Sequence, residues 1–83
     1  MSEGWIITRT SRTGDKFVLT NLERDIVSIA VTFERWYPDV ATYSLVFRRR
    51  NETVQMMNAI NELELISDDE QLAIEGTYDQ TAD

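Results

Sequence analysis

The sequence predicts an α+β fold: an antiparallel β-meander of three to four strands, covered by a C-terminal amphipathic helix, with a short second helix after it. Three observations predict this. β-Branched and aromatic residues are dense at positions 5–10 and 17–20, and apolar residues alternate with polar ones at 27–34 and 42–48. An apolar stripe at helical spacing follows, made of Met56, Met57, Ile60 and Leu63. Then Ser67 and Glu70 stand at capping-box spacing ahead of Leu72 and Ile74.

The elements follow in order. Trp5 to Thr10 is dense in residues that suit a pleated surface and reads as a strand. Ser11 to Asp15 is a turn, with Gly14 free to take positive φ. Phe17-Val18-Leu19-Thr20 completes a hairpin. Residues 21–37 carry two patterns. Val27, Ile29, Val31 and Phe33 alternate with Ser28, Ala30, Thr32 and Glu34, as in a half-buried strand. Leu22, Ile26, Ile29, Phe33 and Trp36 also fall near helical spacing, and Thr20 with Glu23 fits a capping box. The β-branched load favours the strand, because such side chains lose rotamer freedom in a helix. Tyr37-Pro38-Asp39 ends the element, since proline holds the preceding residue extended. Tyr43, Leu45 and Phe47 share one face of a further strand, Thr42 to Arg48. Asn51 is the expected N-cap of a helix over 52–65, with Gln55, Asn58 and Glu62 opposite the stripe. Gly76 is placed to end the second helix. Residues 1–76 then form a single domain, and 77–83 a frayed acidic tail.

Composition excludes several kinds of chemistry. Among 83 residues there is no cysteine and no histidine. Disulfides, Cys/His zinc sites and His-based nucleophilic triads therefore cannot form within the chain. The three glycines make no phosphate-binding loop. Carboxylates remain. Asp68, Asp69 and Glu70 have the oxygens a hard cation takes, but they lack calcium-loop spacing and suit a helix start. The expectation is a non-enzyme with no cofactor and no metal. The N-terminus lacks a basic segment followed by a long apolar one, and no apolar run nears the ~20 residues of a membrane span. A soluble, cytoplasmic protein without a membrane partner is expected.

Charge is divided along the chain. Residues 1–50 hold all eight bases and six acids, while 51–83 hold nine acids and no base, giving −7 overall. An ordinary solvated helix mixes signs to gain i,i+4 pairs. A one-signed surface instead suits a basic partner, because its carboxylates meet lysines and arginines that otherwise contact phosphates. The candidate partner-binding residues are Glu62, Glu64, Asp68, Asp69, Glu70 and Glu75. The alternative is a nucleic-acid-binding module built on Arg48, Arg49 and Arg50, with Tyr43 and Phe47 as stacking surfaces. The net negative charge weighs against direct nucleic-acid binding. A third reading is a structural subunit that self-associates through a sheet edge, as a homodimer. Trp36-Tyr37-Pro38 lies at a loop and can leave one ring exposed as an interface anchor. No residue motif identifies a family. In kind, the small size, acid excess, missing catalytic residues and sheet-plus-helix plan resemble phage-encoded inhibitors of nucleic-acid-binding machinery, such as DNA-mimic and anti-CRISPR proteins. The resemblance implies a viral inhibitor that acts by protein–protein contact.

Overall fold

The computed structural model describes residues 3–78. Strands β1 (Glu3–Thr10), β2 (Lys16–Arg24), β3 (Ile29–Arg35) and β4 (Gln71–Tyr78) form one antiparallel sheet in the order β3-β2-β1-β4. Between β3 and β4 come a 3-10 turn, η1 (Val40–Thr42), and a helix, α1 (Arg50–Glu62). The fold is α+β.

Gly14 takes φ +89° in the β1–β2 turn, and its N–H donates to the Ser11 carbonyl at 2.9 Å. The two strands pair only at Thr8–Val18, Arg9–Phe17 and Thr10–Lys16. Farther from the turn, residues 45–47 bond to both strands. Leu45 N–H donates to the Leu19 carbonyl at 2.9 Å, and Trp5 and Phe47 exchange N–H···O bonds of 2.8 Å. The expected strand over Thr42–Arg48 is thus reduced to an isolated bridge at Phe47. Its first part is held as a turn instead. Tyr43 Oη accepts the Tyr37 N–H at 2.8 Å and donates to the Arg35 carbonyl at 2.9 Å, which folds the chain after Pro38 back on itself.

This crossing takes the chain from one face of the sheet to the other. Ile6 and Val18 bury with Val40, flanked by Trp36 and Tyr43. Ile7 and Leu19 bury with Met56 and Ile60. Adjacent strand residues point to opposite faces, so the two clusters lie on opposite sides of one sheet.

Residues 21–37 hold two strand segments and a turn. β2 runs on to Arg24, so Thr20 and Glu23 cap nothing, and β3 begins after a turn at 25–28. Helix α1 differs from expectation at both ends. Arg49, not Asn51, is the N-cap, and the helix stops at Glu62. Its buried residues are Thr53, Met56 and Ile60, whereas Leu63 is the C-cap and 51 % exposed. The helix has its main contacts with β1 and β4. Full burial of Ile60 stabilises the packing by about 1.5–3 kcal/mol.

The second helix does not form; residues 71–78 are strand β4. Leu72 and Ile74 pack toward the α1 cluster, and all eight residues of β4 pair with β1. β1 meets β2 and then Phe47 along one edge, and β4 satisfies the backbone groups along its other edge. The Ser67–Glu70 signal is used, but to close a turn. Ser67 N–H donates to Glu70 Oε1 at 2.9 Å, and Glu70 N–H donates to the Ser67 carbonyl at 3.0 Å. Gly76 ends no helix either. It sits opposite Trp5, whose ring lies 3.5 Å from where a Cβ would stand. Thr77 and Tyr78 belong to β4, and the rest of the expected tail, 79–83, lies outside the described residues. No described helix is long and apolar enough to cross a membrane.

Candidate functional site

The six acids singled out in the sequence separate into two groups. Asp69, Glu70 and Glu75 stand near bases, Glu70 and Glu75 half-buried and Asp69 itself exposed. Glu75 lies 2.6 Å from Lys16 Nζ, Glu70 Oε2 lies 3.0 Å from Arg9 Nε, and Asp69 lies 3.9 Å from Arg12 Nε. The cause is topological. β4 runs antiparallel to β1, so Asp69 and Glu70, just before β4, come beside Arg9 at the end of β1 and Arg12 in the hairpin, while Glu75, within β4, shares a sheet face with Lys16 of β2. Charges segregated in sequence are therefore paired in space. The bases are also held by rings. The Arg9 guanidinium stands 4.5 Å from the Phe17 ring centre and 4.8 Å from that of Phe33, and Lys16 Nζ stands 4.7 Å from that of Trp36. Arg9 Nε–H is not aimed along a hydrogen bond, so its approach to Glu70 is an ionic contact fixed by the stack.

Glu62, Glu64 and Asp68 behave differently. All three are exposed, and none has an ion-pair partner among the described residues. Glu62 and Glu64 stand at the C-terminal end of α1, where the aligned peptide dipoles already leave about half a negative charge. The end is closed by a Schellman motif. Leu65 N–H donates to the Ile60 carbonyl at 3.3 Å, and Glu64 N–H donates to that of Asn61 at 3.1 Å. The motif puts Glu64 at φ +54°, in the left-handed region that glycine favours. Leu63 and Leu65, between and beside these acids, are exposed as well.

Arg48, Arg49 and Arg50 lie at the opposite end of α1, all exposed. Arg49 Nε is 4.0 Å from Glu52, and the Arg50 guanidinium is 5.8 Å from the Trp5 ring centre. The expected stacking residues do not flank them as a pair. Tyr43 packs on one face of the sheet and Phe47 on the other. Trp5, which the sequence reading did not assign to this run, is the ring beside it. A hollow of about 290 Å³ nearby is lined by Arg24, Phe47, Glu52, Gln55 and Met56. Helix α1 thus carries arginines at its positive end and glutamates at its negative end, both contrary to the macrodipole. Among the described residues, no group of three or more carboxylates is placed to hold a metal ion. No family model matches the chain, no curated protein matches it, and no solved structure matches it.

Proposed function

We propose that the protein is a non-enzymatic interaction protein, which binds a basic, nucleic-acid-binding site on a partner and inhibits or regulates it. The contact set is narrower than the acidic third of the sequence. It consists of Glu62, Glu64 and Asp68, with Leu63 and Leu65 as apolar contacts among them. The observation that carries this reading is Glu64. A carboxylate held in a left-handed conformation at the negative end of a helix is unfavourable twice over within the chain. Backbone strain of this kind concentrates at binding sites, where a partner compensates it. A cationic surface would offset the like-signed charge here. Such inhibition is similar in kind to that of phage-encoded DNA mimics.

The test is surface plasmon resonance against a panel of nucleic-acid-binding proteins at two salt concentrations. Glu62→Gln, Glu64→Gln and Asp68→Asn combined should abolish binding, and salt should weaken the wild type, since exposed charges are screened beyond ~8 Å at physiological ionic strength. The combination of Asp69→Asn, Glu70→Gln and Glu75→Gln should act on stability instead. The second reading, direct nucleic-acid binding, is favoured by the three exposed arginines at the positive end of α1. If Arg48→Gln, Arg49→Gln and Arg50→Gln together remove binding to single- or double-stranded nucleic acid in a gel shift, while the acidic variant leaves it intact, that reading takes first place.

A further inference from the structure

β3 is an edge of the sheet. Ser28 accepts the Asp25 N–H, and Trp36 donates its N–H to Lys16, so even-numbered residues of this stretch face β2. The backbone groups of Ile29, Val31, Phe33 and Arg35 therefore point away from the sheet. Edge strands are commonly blunted by proline, an inward charge or a bulge. Residues 29–33 have no proline and no charge, and the one irregularity in the β2–β3 register lies in β2.

The two ends of this edge are unlike. At its start, the turn exposes Ile26 and Val27, 97 % and 89 % accessible. Asparagine, aspartate or glycine is the usual choice at such a tip, because apolar β-branched side chains gain nothing there. At its finish a cleft of about 470 Å³ opens, lined by Glu34, Arg35, Tyr37, Asp39 and Tyr43. Tyr37 is among the most exposed large apolar residues.

We propose that β3 pairs antiparallel with β3 of a second copy about a two-fold axis through Thr32, and that the Ile26-Val27 tip of each copy docks beside Tyr37 of the other. A two-fold contact must be self-complementary, and a knob and a hollow at opposite ends of one antiparallel strand meet that condition. In this register Val31 lies opposite Phe33 and Val27 opposite Tyr37. The outward backbone groups of the odd-numbered residues then bond to one another, as in strand addition. The half-buried Val31 and Phe33 of both copies gather on the face that carries α1. Charge permits it. Arg24, Asp25, Glu34 and Arg35 flank the strand and sum to zero, in a chain whose net charge is −7. The contact does not rest on the partner-binding reading.

Sedimentation equilibrium of the full chain from about 1 to about 300 µM tests the proposal, a span that covers dissociation constants typical of modest dimers. The wild type should show a reversible monomer–dimer equilibrium. Ile26→Asp with Val27→Asp should weaken it at least about tenfold, with an unchanged circular dichroism spectrum, because both sites are solvent-exposed in the monomer. The absence of cysteine allows a second measurement. Thr32 would meet itself as a non-hydrogen-bonded pair with Cα atoms about 4.5 Å apart, within disulfide reach. Mild oxidation of Thr32→Cys should give a covalent dimer much faster than oxidation of Thr42→Cys, an exposed control on η1. A wild type that stays monomeric throughout overturns the proposal. So does a dimer indifferent to the tip variant, or equal cross-linking of the two cysteine variants.

Discussion

Glu70 uses both carboxylate oxygens within the fold. Oε1 accepts the Ser67 N–H at 2.9 Å, and Oε2 sits 3.0 Å from Arg9 Nε. The side chains of the pair are only 17 % and 23 % exposed, so the interaction is partly shielded from solvent. Glu70→Gln should lower the unfolding free energy by about 1–2 kcal/mol, since a partly buried arginine loses its counter-charge. Glu62→Gln, at an unpaired exposed site, should stay within about 0.5 kcal/mol when both variants are unfolded in urea. Equal effects would mean that the two acids do not differ in role. Glu64 is the opposite case. Glu64→Gly relieves a left-handed non-glycine residue and removes a like charge from the helix end, so it should stabilise by about 1 kcal/mol. The same substitution should weaken partner binding, the trade expected where a strained residue serves a contact. In the sequence these three glutamates look alike. What separates them is a base some sixty positions away, or its absence, and no local pattern records that.

At the scale of elements, three parts of the sequence were legible. The β1–β2 hairpin followed from β-branched and aromatic composition around the Gly14 turn, the strand character of residues 29–35 from alternation, and α1 from its stripe. Two segments misled, one because its pattern is too sparse and one in spite of a clear pattern. Leu72 and Ile74 are too few apolar positions to set a period, and the Ser67–Glu70 reciprocal bond fits a tight turn as well as a helix start. Tertiary pairing with β1 then decided the outcome. Tyr43-Ser44-Leu45-Val46-Phe47 alternates like a strand, yet the Tyr43 hydroxyl and the turn after Pro38 keep all but Phe47 out of regular pairing. The crossing at 45–47 makes its own demand on β1. A Cβ on Gly4 would collide with Val46 Cγ1 and stand 3.1 Å from the Phe47 carbonyl oxygen. Gly4→Ala should therefore cost about 1–3 kcal/mol through overpacking. Val46→Ala should return part of that loss, because Val46 is 40 % exposed and its truncation opens the space. A double-mutant cycle measures the coupling, and additive effects would show that the two residues do not meet.

For the whole molecule, the decisive contact joins the two ends of the described chain. β1 has eight register pairs with β4 and three with β2, although β2 is its neighbour in sequence. The same pairing brings the acids of 69–75 onto the bases of β1 and the hairpin, which is why the charge division read from the sequence overstated the acidic surface. β4 is the last described element and the one on which β1 depends. Closing so long a loop before its contacts form is slow, so folding should be limited by the β1–β4 encounter. Two shortened chains test how far stability rests there. A chain ending at Gly76 keeps Leu72 and Ile74 and loses only the pairs of Thr77 with Gly4 and Tyr78 with Glu3. It should still melt cooperatively, a few degrees below the full chain, as about 1 kcal/mol would produce in a domain of this size. A chain ending at Glu70 loses all eight pairs and two apolar side chains from the cluster around Ile7. Total stability for a domain this small is only about 4–12 kcal/mol at the usual per-residue range. Each of those apolar side chains contributes up to about 1.5–3 kcal/mol, and the backbone groups of β1 would be left to solvent or unpaired. Cooperative melting should vanish in far-ultraviolet circular dichroism. If the chain ending at Glu70 instead melts sharply, β1 to α1 is a folding unit in its own right, and β4 is an addition to it rather than its keystone.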